Sequence, residues 1–247
     1  MEAFCGVCEV ISVVIPMYNE SRRIEKTLES IYNYVQKHPG EIGQVVVVDD
    51  GSKDNSVERV IQYVGKLPLW IESLPLNIGK WAAVQKGIDV AKYDVVLLLD
   101  ADGSASIFEL EKVLLREKEG VLEGTLAVFG SRFMPGADVT GKSLKRTIVS
   151  HAYRWYVRFW YWFAGDGGFV DDMQAPWKFF NKRAMVGRVQ VERWCGDVEL
   201  ALRLKCDKIS VPISFHHVRG GAIRISSVFE MLFSTIEVAI RMRQKRE

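Results

Sequence analysis

Two carboxylates close the most apolar run of this chain. Val95-Val96-Leu97-Leu98-Leu99 is followed at once by Asp100-Ala101-Asp102-Gly103. Five uninterrupted apolar residues are the pattern of a strand buried on both faces. Open α/β sheets place their ligands at the C-terminal ends of such strands. Alternate residues of extended backbone point the same way, so Asp100 and Asp102 can face one ligand together. A hard divalent cation fits that pair, with phosphate oxygens and water completing its shell. The spacing alone also allows a general acid–base pair or a plain acidic turn.

Two further apolar runs end in acidic turns. Val10 to Ile15 is β-branched, stops at Pro16 and leads to Tyr18-Asn19-Glu20. Val45 to Val48 leads to Asp49-Asp50-Gly51-Ser52. Between and after these strands lie helical patterns. One starts near Glu20, with Asn19 and Ser21 as caps and Ile24, Leu28, Ile31 and Val35 at helical spacing, and His38-Pro39-Gly40 stops it. Another follows Asp54 or Asn55, with Val57, Val60, Ile61 and Val64 on one face. After a short strand, Leu69 to Ile71, Asn77-Ile78-Gly79-Lys80 opens a third helix bearing Ala83, Val84, Gly87, Ile88 and Ala91. Strand and helix alternating in this way predict an α/β fold, a mostly parallel sheet with helices on both faces. In such a sheet the three acidic turns share one edge. A nucleotide with a metal on its diphosphate would account for all three.

The second half reads differently. A helix over Ile107 to Lys118 and a strand over Leu126 to Phe129 lead to Gly130-Ser131-Arg132, and Pro135 to Lys142 is an aperiodic loop. Tyr153 to Phe163 then carries eight aromatic residues in eleven, with Arg154 and Arg158 sharing a helical face. Aromatic rings interleaved with arginines suit the headgroup layer of a bilayer. A buried aromatic helix is the alternative. Trp177 to Phe180 reads as a strand, Asp197 to Leu204 as a helix with Val198, Ala201 and Leu202 inward, and Ile209 to Phe215 as an edge strand because of Pro212. His216 and His217 follow it and are read as loop contacts rather than metal ligands. The last helix, from about Ser226, sets Val228, Leu232, Ile236 and Ile240 at steps of four and ends in Arg241, Arg243, Lys245 and Arg246. Such a helix can lie on anionic lipid or pack against the domain.

Composition sets the outer limits. The 247 residues are 48% hydrophobic and 26% charged, with a net charge of +2 that gives no ground for a nucleic-acid partner. There is no apolar run long enough to span a bilayer and no signal-peptide pattern at the N-terminus. Cys5 and Cys8 form a lone Cys-x-x-Cys without the second pair that a zinc site needs, so free thiols and a reducing, cytosolic setting are expected.

Taken together, Val13-Val-Ile-Pro-Met-Tyr-Asn-Glu20, Val47-Val-Asp-Asp-Gly-Ser52, Asn77-Ile-Gly-Lys80 and Asp100-Ala-Asp-Gly103 resemble the motifs of family 2 glycosyltransferases of the GT-A fold, in the same order. Within that family the chain is similar to the polyprenyl (dolichyl) phosphate sugar transferases. Phe129-Gly-Ser-Arg132, Asp172-Met-Gln174 before Lys178-Phe-Phe180, and Val191-Glu-Arg-Trp194 before Asp197-Val-Glu-Leu200 look like the dolichyl-phosphate glucosyltransferases. Ser143-Leu-Lys-Arg146 is shared with the mannose synthases.

The resemblance implies one GT-A domain over 1–247, with a nucleotide-sugar half over about 10–127, an acceptor half over about 128–224 and an amphipathic C-terminal helix over 225–247. It implies inverting, metal-dependent transfer of a hexose, glucose from UDP-glucose being favoured, to dolichyl or polyprenyl phosphate. GDP-mannose as donor, or a soluble glycan acceptor, is the alternative. Pro16, Tyr18, Glu20, Asp49, Asp50, Lys80, Asp100, Ala101 and Asp102 would hold the donor, with Glu20 and Asp50 at base and ribose. Asp100 and Asp102 would carry Mg²⁺ or Mn²⁺. Arg132, Arg146 and Ser150 would hold the acceptor phosphate, and Asp197, with Glu199 beside it, would stand at the acceptor end. Asp100, Asp102, Arg132 and Asp197 are the expected catalytic set. The enzyme would sit peripherally on the cytoplasmic face of a membrane. Two positions depart from the family pattern: Ala175-Pro176 after the Asp-x-Gln, and Trp81 where small residues are usual, which sets a bulky indole close to the expected nucleotide pocket.

Overall fold

The computed structural model describes residues 10–118, 125–141, 144–165, 170–217 and 225–245. Cys5 and Cys8 lie outside them. The apolar runs form β1 (Ile11–Met17), β2 (Ile42–Asp49), β3 (Leu69–Ser73) and β4 (Val95–Leu99). The order β3-β2-β1-β4 is parallel throughout, so the turns after β1, β2 and β4 do share one edge. Every residue of β1 and β4 is buried, as runs with no polar alternation require.

The second half completes the same sheet. β5 (Thr125–Ser131), β7 (Trp177–Asn181) and β8 (Asp207–Pro212) extend it in the order β4-β7-β5-β8, with β7 antiparallel to both neighbours and β8 at the edge, as Pro212 demands. A small parallel pair, β6 (Asp138–Thr140) with β9 (Ser214–His216), stands beside it.

The helices cover both faces. Ile24, Leu28 and Ile31 of α1 (Ile24–Lys37), Val60 of α2 (Ser56–Ile61) and Leu110 and Val113 of α4 (Glu109–Lys118) join one core layer. α3 (Lys80–Val90), α5 (Leu144–Phe163), α6 (Gly196–Arg203) and α7 (Ile225–Gln244) build the other, through Val84, Val157, Tyr161, Val198, Leu202, Val238 and Ala239.

Several local expectations are corrected. β1 continues through Pro16 to Met17, because a strand end needs few ladder donors and Pro16 pairs in register with Val48. α1 begins at Ile24 with no side-chain cap, because Asn19 and Ser21 are engaged elsewhere. Asn19 has φ +53° and accepts from Lys53 N through Oδ1, while Ser21 N donates to Asp54 Oδ2. These bonds lace the turn after β1 to the turn after β2. Ile61 and Val64 point to solvent rather than into the core, and 138–140 forms a strand where no period was visible.

The stripe at steps of four is not the face by which the C-terminal helix packs on the domain. The helix packs through Thr235, Val238, Ala239 and Met242 and turns Val228, Phe229, Phe233 and Ile240 outward. α5 is neither wholly buried nor wholly exposed. Val157 and Tyr161 are buried, yet Trp155, Phe159 and Trp162 are 61%, 55% and 70% exposed. Tyr156 Oη donates to Leu232 O at 2.8 Å and joins the two helices, so their exposed apolar residues belong to neighbouring elements. Among the described residues no helix is long and apolar enough to cross a membrane.

Candidate active site

Asp100 and Asp102 sit where β4 ends. Lys80, the first residue of α3, donates from Nζ to Asp100 Oδ1 at 2.6 Å. Asp102 Oδ1 accepts from Ser104 N at 2.9 Å, which folds the turn back on itself. Thr27 Oγ1 donates to the carbonyl of buried Ala101 at 2.9 Å and ties the turn to α1. Beside Asp102 lies a cleft of about 500 Å³ lined by Arg22, Arg23, Lys26, His216 and His217. His216 and His217 therefore stand nearer to Asp102 than a bare loop contact implies. A His216 ring nitrogen is 2.6 Å from Thr140 Oγ1.

Glu20 joins this corner from the turn after β1. Burial pushes its carboxyl up to about 7; Arg23 pulls it down, and Asp102 and Asp100 add to the rise. Arg23 Nη2 donates to Glu20 Oε1 at 2.6 Å, whereas Oε2 is 2.5 Å from Arg23 Nε without the alignment of a hydrogen bond. The folded state thus holds a proton on Glu20 that the unfolded chain sheds near 4.5, so stability should fall as pH rises from about 4.5 to 7 and level off above. Glu20→Gln should remove that decline and be the more stable protein at pH 8, by on the order of 1–3 kcal/mol. Thermal melts of both proteins across that range check it, and parallel curves would contradict it.

Of the three carboxyls at this corner, Glu20 is paired with Arg23 and Asp100 with Lys80, and Asp102 stands beside them. Among the described residues no three His, Cys, Asp or Glu side chains converge as a cage. A two-carboxylate site fits a hard dication that takes its remaining ligands from phosphate and water, and the basic cleft wall suits that phosphate.

Asp49 and Asp50 are less open than a nucleotide contact suggests. Asp49 accepts from Ser52 N with both oxygens at 3.2 Å. Asp50 is buried and accepts from Asn77 Nδ2, Ile78 N and Gly79 N at 2.8–2.9 Å, so it shapes the loop that delivers Lys80. Gly79, at φ +142°, touches the carbonyl of Glu192, where a Cβ would come within 2.5 Å. That carbonyl accepts from Trp81 N and Ala82 N at 2.7 and 3.2 Å, which satisfies the start of α3 from within the protein. Pro16 is buried at the end of β1, and Tyr18 is exposed at the rim.

Arg132 enters from the end of β5. Its Nε and Nη2 donate to Asp172 at 2.7 and 2.9 Å, a bidentate pair that fixes the guanidinium plane. Burial alone would weaken its charge, but Asp172, then Asp197 and Asp100, outweigh that and raise its pKa. Lys80 follows the same pattern: desolvation opposes its charge and Asp100, Asp197 and Asp102 more than restore it. Lys80 and Arg132 therefore lie within electrostatic reach of the same two aspartates, Asp100 and Asp197.

Ser150 is half-buried on α5, and the side chain of Arg146 lies outside the described residues. Asp197 and Glu199 do not act as a pair. Residues two apart on a helix face different ways. Glu199 is fully buried and accepts from Arg203, Arg241 and the backbone of Gln190 and Val191, bracing α7. Trp81, expected to crowd the nucleotide, is buried beneath Gly196 instead. Ala175-Pro176 forms a buried turn with no cis bond, in which Ala175 N reaches Asp172 O at 3.3 Å.

Sequence reasoning did not assign Asp171, Asp172 or Lys178. Lys178 carried a signal, a lone charge inside the apolar run Trp177 to Phe180, because an unpaired lysine is almost never buried. The two acids carried none, because only the fold brings them to Arg132 and Arg154.

Comparison with known proteins agrees with this geometry. The sequence profile described as "Glycosyl transferase family 2" matches residues 12–170. A dolichyl-phosphate beta-glucosyltransferase of Trichomonas vaginalis is 30% identical over 93% of this chain and 71% of its own length. The human and Saccharomyces cerevisiae proteins of that name are each 29% identical, over 86% and 88% of this chain and 69% and 71% of theirs. Among solved structures, glucosyl-3-phosphoglycerate synthase of Mycobacterium tuberculosis with Mn²⁺, UDP-glucose and glycerol 3-phosphate superposes with a TM-score of 0.70 at 17% identity, over 96% of this chain and 81% of that one.

Proposed function

The chain belongs to glycosyl transferase family 2, and from that premise we propose that it transfers glucose from UDP-glucose to a dolichyl or other polyprenyl phosphate. The observation that carries this proposal is the placing of Arg132. A guanidinium held flat by Asp172 stands within electrostatic reach of Asp100, so a site for an anionic acceptor opens onto a site for a metal-bound diphosphate. The relatives named for dolichyl phosphate and beta-glucosyl transfer support the choice of acceptor and sugar.

In this mechanism Asp100 and Asp102 would hold Mg²⁺ or Mn²⁺. The ion, when bound, acts as a Lewis acid toward the charge that develops on the leaving group. Tyr18 and Glu20 would line the base and ribose, with Pro16, Asp49 and Asp50 shaping the turns behind them. Lys80, whose ammonium pairs with Asp100, would meet the charge that develops on the departing diphosphate. Arg132 would take the acceptor phosphate by charge-assisted hydrogen bonds, and Arg146 and Ser150 remain the further residues proposed for that phosphate. A phosphate monoester is already an anion at pH 7, with a second pKa near 6, so no strong base is needed. Attack from the face opposite the diphosphate inverts the anomeric carbon and yields a β-linked lipid phosphate sugar.

The lipid tail requires a membrane, and we place the enzyme on its cytoplasmic face. Trp155, Phe159 and Trp162 on α5 and Phe229 and Phe233 on α7 would rest in the headgroup layer. Replacing Phe159 and Trp162 with serine should abolish flotation with anionic liposomes while leaving transfer to a short-chain acceptor in detergent intact. Undiminished flotation would remove these helices from the contact.

The reaction is tested with a panel of radiolabelled UDP- and GDP-sugars and a short polyprenyl phosphate. Label should enter the organic phase from UDP-glucose. Entry from GDP-mannose alone would replace the donor.

A further inference from the structure

Lys178 is 2% exposed, at the centre of the sheet. It pairs in register with Leu98 on one side and Phe129 on the other, two residues short of Asp100 and three short of Arg132. Its Nζ donates to Ala175 O at 2.5 Å and meets Asp197 Oδ1 at 2.6 Å. The Trp81 ring lies 5.9 Å from the same nitrogen. A buried ammonium without a counter-charge would be strongly destabilising, so Asp197 is fixed by this contact as firmly as Lys178 is.

The backbone around Asp197 serves the same placement. Cys195 takes the left-handed conformation, φ 62°, to start α6, and its thiol is held by Met231 O and Thr235 Oγ1. Gly196 then lies flat on the Trp81 indole, where any Cβ would overlap the ring. Trp81 directly follows Lys80. One packed unit therefore joins the donor-side lysine to the first turn of α6. The Asp197 carboxylate favours the charged form of both Lys80 and Arg132.

We infer that Lys178 is a positioning residue that anchors Asp197 between Lys80 and Arg132, so that Asp197 organises the two cations flanking the reacting groups and does not take a proton from the acceptor. This inference rests on the proposed function, because it assigns the two cations to donor diphosphate and acceptor phosphate. Arg132 is paired with Asp172, Lys80 with Asp100 and Lys178 with Asp197, so each cation near the reacting groups has its own carboxylate to hold it in place.

The test uses the full chain with UDP-glucose and a short polyprenyl phosphate in detergent, comparing Lys178→Met, Lys178→Arg, Asp197→Asn and the double variant K178M/D197N. Lys178→Met and Asp197→Asn should each lower kcat/KM for the acceptor by roughly 30-fold with donor KM nearly unchanged, and the double variant should be no worse than either, because coupled groups are non-additive. Lys178→Arg should recover most of the loss. Asp197→Asn should keep the wild-type pH profile between about pH 6 and 9, because no base is removed. Multiplying losses in the double variant, an unchanged Lys178→Met, or an acid limb that vanishes with Asp197→Asn would each overturn the inference. If Lys178→Met does not fold, the double variant, which removes both buried charges, decides: it must fold and match Asp197→Asn. A wild-type enzyme that does not glucosylate the lipid phosphate would overturn the proposed function and this inference with it, whereas an active wild type with an unaffected Lys178→Met overturns the inference alone.

Discussion

Asp102→Asn should reduce transfer by about a thousandfold while leaving the fold intact. The amide keeps an oxygen for Ser104 N, so the turn after β4 retains its shape. What disappears is a full negative charge at the ion site. Stabilising a leaving diphosphate through a bound dication is worth several kcal/mol, and each 1.4 kcal/mol is about tenfold in rate. The variant should melt as the wild type does and show its loss in kcat at saturating Mn²⁺. Wild-type turnover would remove the metal assignment from this aspartate. Asp100→Asn should differ in kind, because it also releases Lys80.

Arg132→Lys should lower kcat/KM for the lipid phosphate by about a hundredfold and leave the donor KM within a few-fold. Lysine keeps the charge but not the planar fork, so it cannot meet Asp172 and a phosphate in fixed geometry. Arg132→Ala is the harsher and less informative change. Asp172 is only 3% exposed at its side chain and would be left as a buried charge without its partner, at a cost of roughly 3–5 kcal/mol. Steady-state kinetics with each substrate varied in turn checks the lysine variant. An equal rise in both KM values would argue that Arg132 does not single out the acceptor.

How much of this was legible beforehand follows from what each signal depends on. β1, β2 and β4 and the turns that end them were readable, because burial on both faces leaves an uninterrupted apolar run and a parallel order fixes the edge. The carboxylates Asp100 and Asp102 were readable for the same reason. The start of α1 was not, because Asn19 and Ser21 look like caps until the neighbouring turn is there to engage them. Which face of α7 packs was not legible because both sides of that helix are apolar. Only its neighbours α5 and α6 determine that Thr235, Val238 and Ala239 go inward and Phe229 and Phe233 stay out. Asp197 and Glu199 are two apart in the chain but face different ways on the helix. Asp171 and Asp172, which meet Arg154 and Arg132 across about 40 residues of sequence or fewer, are contacts of tertiary structure alone.

The most direct test of transfer to a lipid phosphate puts two acceptors in one tube. Wild-type enzyme receives UDP-[¹⁴C]glucose, Mn²⁺, a polyprenyl phosphate and an excess of a water-soluble phosphate monoester, and the label is followed into the organic and aqueous phases. The expected result is label in the organic phase as a β-glucosyl phosphodiester, with none transferred to the soluble ester. Label transferred to the water-soluble phosphate, with the lipid phosphate left unmodified, would contradict it.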